Sequence, residues 1–261
     1  FIFFCLAKTA QSSQNDRSTL STQEWNLVSN CIQIFDNQNI RERFDNYFNY
    51  LRSLPAKLRS RRADLDQAFS QFYYGIQTLI ERTPDFHTLS TQARRVVAQH
   101  NLYLTGSING QFLCREWDLY NNLFFSNACA AHYGPQTLPE SQRISSRCDS
   151  NGNLVKIFIF AILFSSNISL VMYNKEESII SSEENSLNLM RIQNTYVTIL
   201  WKYFIYLYDY KQAVIRYANL VRYLLAVFRQ IEMMTLTQNI PHDQLIETIT
   251  TKVEQKLVVE D

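Results

Sequence analysis

Glycine and proline are scarce: five of each punctuate 261 residues. The segments between them are long, which excludes many short strands joined by tight turns and favours helices. An excess of charge of one sign is also missing. The net charge is +1, so no bulk field drives the chain onto nucleic acid or an anionic membrane, and a DNA-binding role cannot be read from charge. Cysteine is sparse and scattered: Cys5, Cys31, Cys114, Cys129 and Cys148 include no C-x-x-C pair. That pattern fits neither a zinc site nor a secreted disulfide framework, and reduced intracellular thiols are the expectation. His87, His100, His132 and His242 lack metal-site spacing. No G-x-S-x-G, phosphate loop or H-E-x-x-H organises the Ser, His and acidic residues, so nothing points to an enzyme, and no metal or cofactor is expected in this chain.

Uninterrupted apolar runs of membrane length are lacking too. "LVKIFIFAILFSSNISLVMY", from Leu154 to Tyr173, contains Lys156 and the polar cluster Ser165, Ser166, Asn167. "TYVTILWKYFIYLYDY", from Thr195 to Tyr210, carries Lys202 and Asp209. Neither offers the roughly 20 apolar residues a bilayer needs, so both are expected to be buried core helices. The opening "FIFFCLA" has no basic leader and reads as the edge of a fragment rather than as a trimmed signal peptide. With 46% hydrophobic and 19% charged residues, one all-α domain is expected over 20–261, preceded by a disordered or fragment segment over 1–19.

What is present is helix punctuation. In "LSTQEWNLVSNCIQIFD", Ser21 can cap a helix with Glu24 reaching back from its third position, and Leu20 and Trp25 sit where a hydrophobic staple closes. Trp25, Val28, Ile32 and Phe35 follow at helical spacing. A second helix is expected over Ile40 to Leu54, followed by the basic link "PAKLRSRR", read as solvated surface. From Asp64 onward, Phe69, Phe72, Tyr73, Ile76, Leu79 and Ile80 form one broad apolar face on a long helix. Pro84 removes a backbone donor and pushes Thr83 out of helical geometry, so that helix must stop near Arg82. Phe86 and Leu89 pin the link, and Ser90 is placed to cap the next helix.

The long helix, P-x-F-x-x-L at Pro84, Phe86 and Leu89, then a capped helix with Val97 and Ala98 resembles the signature region of the nuclear receptor ligand-binding domain. The chain departs from that family at Ala93 and Arg94, where the family usually has Asp-Gln. The stretch from Arg191 to Ile231 is similar to the family's two long C-terminal helices, through Gln193 and Tyr196, Leu200 and Tyr203, then Arg216, Tyr217 and Leu220. "LVKIFIFAILFSSN" is similar to the helix that runs into an F-S segment, here Phe164 and Ser165. The resemblance covers roughly Leu20 to Leu257.

It implies a three-layer helical sandwich with one small β-hairpin. The hairpin is expected in "GQFLCREWDLYNNLFFSNACAAHYG", which is β-prone and aromatic and lies where the family places its hairpin beside the ligand cavity. Phe69, Phe72, Tyr73 and Ile76 would line or plug that cavity, or simply fill a helical core. Arg115 and Glu116 would polarise a small apolar ligand, or pair with each other's neighbours as structural ion pairs. The resemblance further implies transcriptional partner proteins, a nuclear location, and DNA contact only through a zinc-bearing domain outside this chain.

In the family a Lys and a Glu clamp an L-x-x-L-L coactivator helix. Here the clamp lysine falls on Glu81, and further groove positions fall on Gln77, Thr91, Arg94, Arg95 and Ala98. Glu247 in the final helix follows the apolar pair Leu245 and Ile246 directly, whereas the family pattern has one residue between. A poor coactivator groove is therefore expected, with either no coactivator binding or an acidic partner helix that answers Arg94 and Arg95. Leu220, Leu224 and Val227 form a stripe that in this family pairs with another receptor, while Tyr217, Val221, Leu225 and Phe228 offer a competing one. A ligand-free helical interaction module and a membrane-associated helical protein are the other readings.

Overall fold

The computed structural model describes residues 20–55, 57, 62–165, 183–236, 244, 247–248 and 251–252. Ser21 starts the first helix, α1 (Thr22–Asp36), by the reciprocal cap its spacing to Glu24 requires. The Glu24 carboxylate accepts from the Ser21 N–H at 2.8 Å, and Ser21 Oγ accepts from the Glu24 N–H at 3.3 Å. Two donors that a helix start leaves orphaned are thereby satisfied. The other Glu24 oxygen accepts from Lys202 at 2.7 Å, tying this helix end to a distant helix. Partial burial pulls the Glu24 carboxyl up, yet the bonds from Lys202 and Ser21 outweigh it and hold the group below its ordinary value. A carboxyl depressed on folding contributes stability above its unfolded value, and that contribution is lost as pH falls through the folded one. Unfolding midpoints measured downward from about pH 5 should fall more steeply for the native chain than for Glu24→Gln. Equal slopes would show that the cap and ion pair contribute nothing.

After α1 come α2 (Ile40–Ser53) and the long α3 (Arg62–Arg82). The break at Pro84 is where the chain's chemistry requires it. Thr83 is extended, at φ −86 and ψ 116, and Pro84 occupies the first position of the single-turn α4 (Pro84–His87). Thr83 Oγ1 donates to the Leu79 carbonyl at 2.6 Å, satisfying one of the acceptors that a helix end strands. Phe86 and Leu89 are buried beneath the link, and Tyr196 donates to Asp85 at 2.6 Å. Ser90 Oγ then caps α5 (Thr91–Val96) through the Ala93 N–H. A wider π turn, Val97–Asn101, carries the chain into α6 (Leu102–Glu116). Next come α7 (Leu123–Tyr133), α8 (Thr137–Ser145), α9 (Gly152–Leu163), α10 (Glu183–Leu207) and α11 (Tyr210–Leu236).

Two helices form the interior. Ten of the 15 residues of α6 and nine of the 12 of α9 are buried. A helix without a polar face must be covered on all sides. Accordingly α6 packs on α3, α8, α9 and α11, while α9 packs on α1, α6 and α10. The buried Asn101 side chain donates to the carbonyls of Leu163 and Ser165 at 2.5 and 2.8 Å, closing the C-terminal end of α9. No helix is long and apolar enough to cross a membrane among the described residues; both apolar runs supply core positions where they are described.

The expected hairpin is corrected. Among the described residues there is no strand, and Gly110 to Gly134 is the end of α6, a 3-10 turn at Leu119–Asn121 and α7. The chain turns at Asp118, which takes φ +54, and restarts where Asn122 Oδ1 accepts from the Phe125 N–H at 3.1 Å. Phe125 and Cys129 are thereby buried against the core at helical, not alternating, spacing.

Candidate functional site

The inward face of α3 meets the glycines of α6. A Cβ on Gly106 would collide with the Tyr73 ring, and one on Gly110 would come to 3.3 Å from Phe72. Both rings therefore pack closely on α6, and at Gly106 the approach is one that only glycine permits. Beyond them, α7, α8 and α11 leave a cavity of about 120 Å³. Phe72, Tyr73 and Phe125 supply its apolar walls, and the thiols of Cys114 and Cys129 add soft, weakly polar surface. Burial pushes the Cys129 thiol up to about 12, so it stays neutral and unreactive at ordinary pH. No charged side chain lines the space among the described residues.

A polar seam closes one side. Gln111 Nε2 donates to Gln230 Oε1 at 2.8 Å, and Gln230 Nε2 donates to Ser141 Oγ at 2.7 Å, joining α6, α11 and α8. Gln111 Oε1 is buried and has no hydrogen-bond partner among the described residues. Tyr133, Thr137 and Gln230 line both this cavity and a broad open groove between α8 and α11, so the cavity meets the surface there. Along the groove, Arg147, Arg222 and Arg229 flank the exposed Leu225 and Met233.

The residues singled out from the sequence are divided by the fold. Phe72 and Tyr73 line the cavity. Ile76, fully buried, belongs to the core and not to the lining, and the Phe69 and Arg95 side chains lie outside the described residues. Arg115 is a correction to the ligand set: it pairs with Glu116 at 3.1 Å and donates to the Asp149 carbonyl at 2.8 Å, away from the cavity. Its side chain holds the loop after α8.

The expected groove positions do not form an open floor. Gln77 is buried and donates to Glu81 at 2.8 Å. Arg94 donates to the carbonyls of Leu89 and His87, both at 2.9 Å, and so braces the α4–α5 link. Ala98 is fully buried and Thr91 half-buried, whereas Glu247 is an exposed helical residue. The dimer stripe is likewise corrected. Leu220, Leu224 and Val227 are buried together with Tyr217 and Tyr223, while Leu225 is 59% exposed.

Two features were missed by sequence reasoning. Gln111 and Gln230 are separated by 119 positions, and no local signal links them. Asp149 is the second. Its carboxylate accepts from Tyr208 and Arg216, both at 2.9 Å, and from the Asn151 N–H at 2.8 Å, with the Arg216 guanidinium 4.1 Å over the Tyr208 ring. Among the described residues no three His, Cys, Asp or Glu come together as a metal site. Compared with known proteins, the chain matches no family model and no curated sequence.

Proposed function

We propose that this chain is a ligand-binding domain of the nuclear receptor type, which takes a small apolar molecule and passes its state to transcriptional partner proteins in the nucleus. The observation that carries the reading is the uncharged cavity of about 120 Å³ against the inner face of α3. Concave, mostly apolar spaces with a few convergent polar groups are where small ligands bind. The burial of α6 and α9 between neighbours on both sides supports a three-layer sandwich. Lys252, in the C-terminal helical segment, donates to Tyr74 of α3 at 3.2 Å. That contact supports a final helix seated on the helix that walls the cavity, which is how occupancy would be reported. Nothing in this role requires catalysis by the chain, and DNA contact would belong to a domain outside it.

Toluene tests the reading. At about 100 times its dissociation constant a ligand bound only by the folded state adds roughly 2.7 kcal/mol, which corresponds to a rise of about 5 °C in the melting temperature of a domain this size. No rise at saturating toluene would remove the ligand-binding role.

A second reading, a ligand-free helical interaction module, is favoured by the α8–α11 groove, where exposed Leu225 and Met233 lie among four arginines, of which Arg143 is paired with Glu140. An acidic amphipathic partner suits that chemistry. In either reading the usual coactivator helix should bind poorly. Glu81 stands where a lysine would hold the peptide's terminal carbonyls, and Arg94 is engaged with its own chain. Titration of a labelled L-x-x-L-L peptide should show binding weaker than the low-micromolar range; low-micromolar or tighter binding would contradict this placement of the groove.

A further inference from the structure

We propose that the ligand class of the cavity is a neutral, single-ring hydroxylated aromatic, a phenol, anchored through the side-chain amide of Gln111. The inference rests on the ligand-binding reading and narrows it. Size sets the first limit: about 120 Å³ is close to an apolar cavity of roughly 150 Å³, which admits benzene. Lining sets the second. Aromatic rings and two thiols face the space and, among the described residues, no charged group does, so a carboxylate or ammonium ion would be buried without a counter-charge.

The polar seam sets the third. The Gln111 amide donates to Gln230 and leaves its oxygen without a partner. Turning both amides end for end lets the Ser141 hydroxyl donate to Gln230 Oε1 and Gln230 Nε2 donate to Gln111 Oε1, which leaves Gln111 Nε2 without one. In either arrangement one polar atom of Gln111 is unmatched in a buried site, at a cost that a ligand can relieve. A carbonyl suits only the second arrangement. A hydroxyl, donor and acceptor at once, suits both. Tyr120 does not meet the need, because its hydroxyl is directed to the Gln111 main-chain carbonyl at 3.4 Å.

Phenol and toluene are nearly isosteric, so they isolate the hydroxyl. Calorimetric titration of the whole chain should give phenol an affinity at least equal to that of toluene. In Gln111→Met, which keeps the shape and removes the amide, toluene affinity should hold within about twofold while phenol affinity falls about tenfold or more. An unchanged phenol-to-toluene ratio in the variant would overturn the anchor, as would toluene binding to the native chain without phenol. Failure of both ligands to bind the native chain would instead remove the cavity reading on which the anchor rests. If Gln111→Met does not fold, a structure of the native chain with phenol decides: the hydroxyl should lie within about 3.2 Å of the Gln111 amide, and a hydroxyl placed elsewhere would overturn the proposal.

Discussion

Replacing Asp149 by alanine is expected to destabilise the domain by about 3–5 kcal/mol, because it removes a buried carboxylate that answers three donors at once. The carboxylate is 1% exposed and joins three segments: Tyr208 at the end of α10, Arg216 on α11 and the Asn151 turn that opens α9. Among the described residues the Arg216 guanidinium is held by this carboxylate and by the Tyr208 ring beneath it. Without Asp149 a half-buried guanidinium and a phenol hydroxyl lose their acceptor together. Denaturation in urea should show the midpoint fall by roughly 1 M or more, given a slope of about 3 kcal/mol per molar. Asp149→Asn, which keeps one acceptor oxygen and loses the charge, should fall between the two. A loss under about 1 kcal/mol for the alanine variant would mean that Asp149 is no brace.

Phe72→Ala should cost a comparable amount, about 3–5 kcal/mol, because the ring is buried in the core. Phe72 stacks on Phe44 at 5.5 Å, lies 6.2 Å from the Trp117 ring and closes on Gly110. It also walls the existing cavity, so the space it vacates joins that cavity instead of opening a separate void. The variant should bind an apolar fluorescent probe that the native chain excludes. Lost stability with no gain in probe binding would make Phe72 plain core.

Local chemistry was legible in the sequence wherever a rule acts within one turn of helix. Ser21 with Glu24, Pro84 after Thr83, and Ser90 before Ala93 each operate over a few residues, and each appears where its spacing requires. The hairpin expectation failed because the β-preference of the aromatic stretch is weak beside the burial that α7 achieves as a helix. A warning was present: no Asn-Gly or Asp-Gly pair marks a two-residue turn in it, while Asn122 stands three residues before Phe125 as a helix cap does.

The two stripes on α11 looked equivalent over ten residues. Extended further, Leu220, Tyr223, Leu224, Val227 and Ile231 continue at helical spacing and are all buried, whereas the rival stripe runs into Glu232. The site itself was only half legible. The inner face of α3 follows from periodicity, which is why Phe72 and Tyr73 were found. Gln111, Gln230 and Asp149 depend on partners that only tertiary packing brings near, and Arg115 was drawn to one of those partners rather than to a ligand.

Diffraction from a crystal of the chain under xenon pressure tests the cavity most directly, since xenon enters dry apolar spaces of this size and asks nothing of polar chemistry. One bound xenon is predicted between Phe72, Cys114, Phe125 and Cys129. Side chains filling that space, with no xenon in it, would contradict a ligand-binding role.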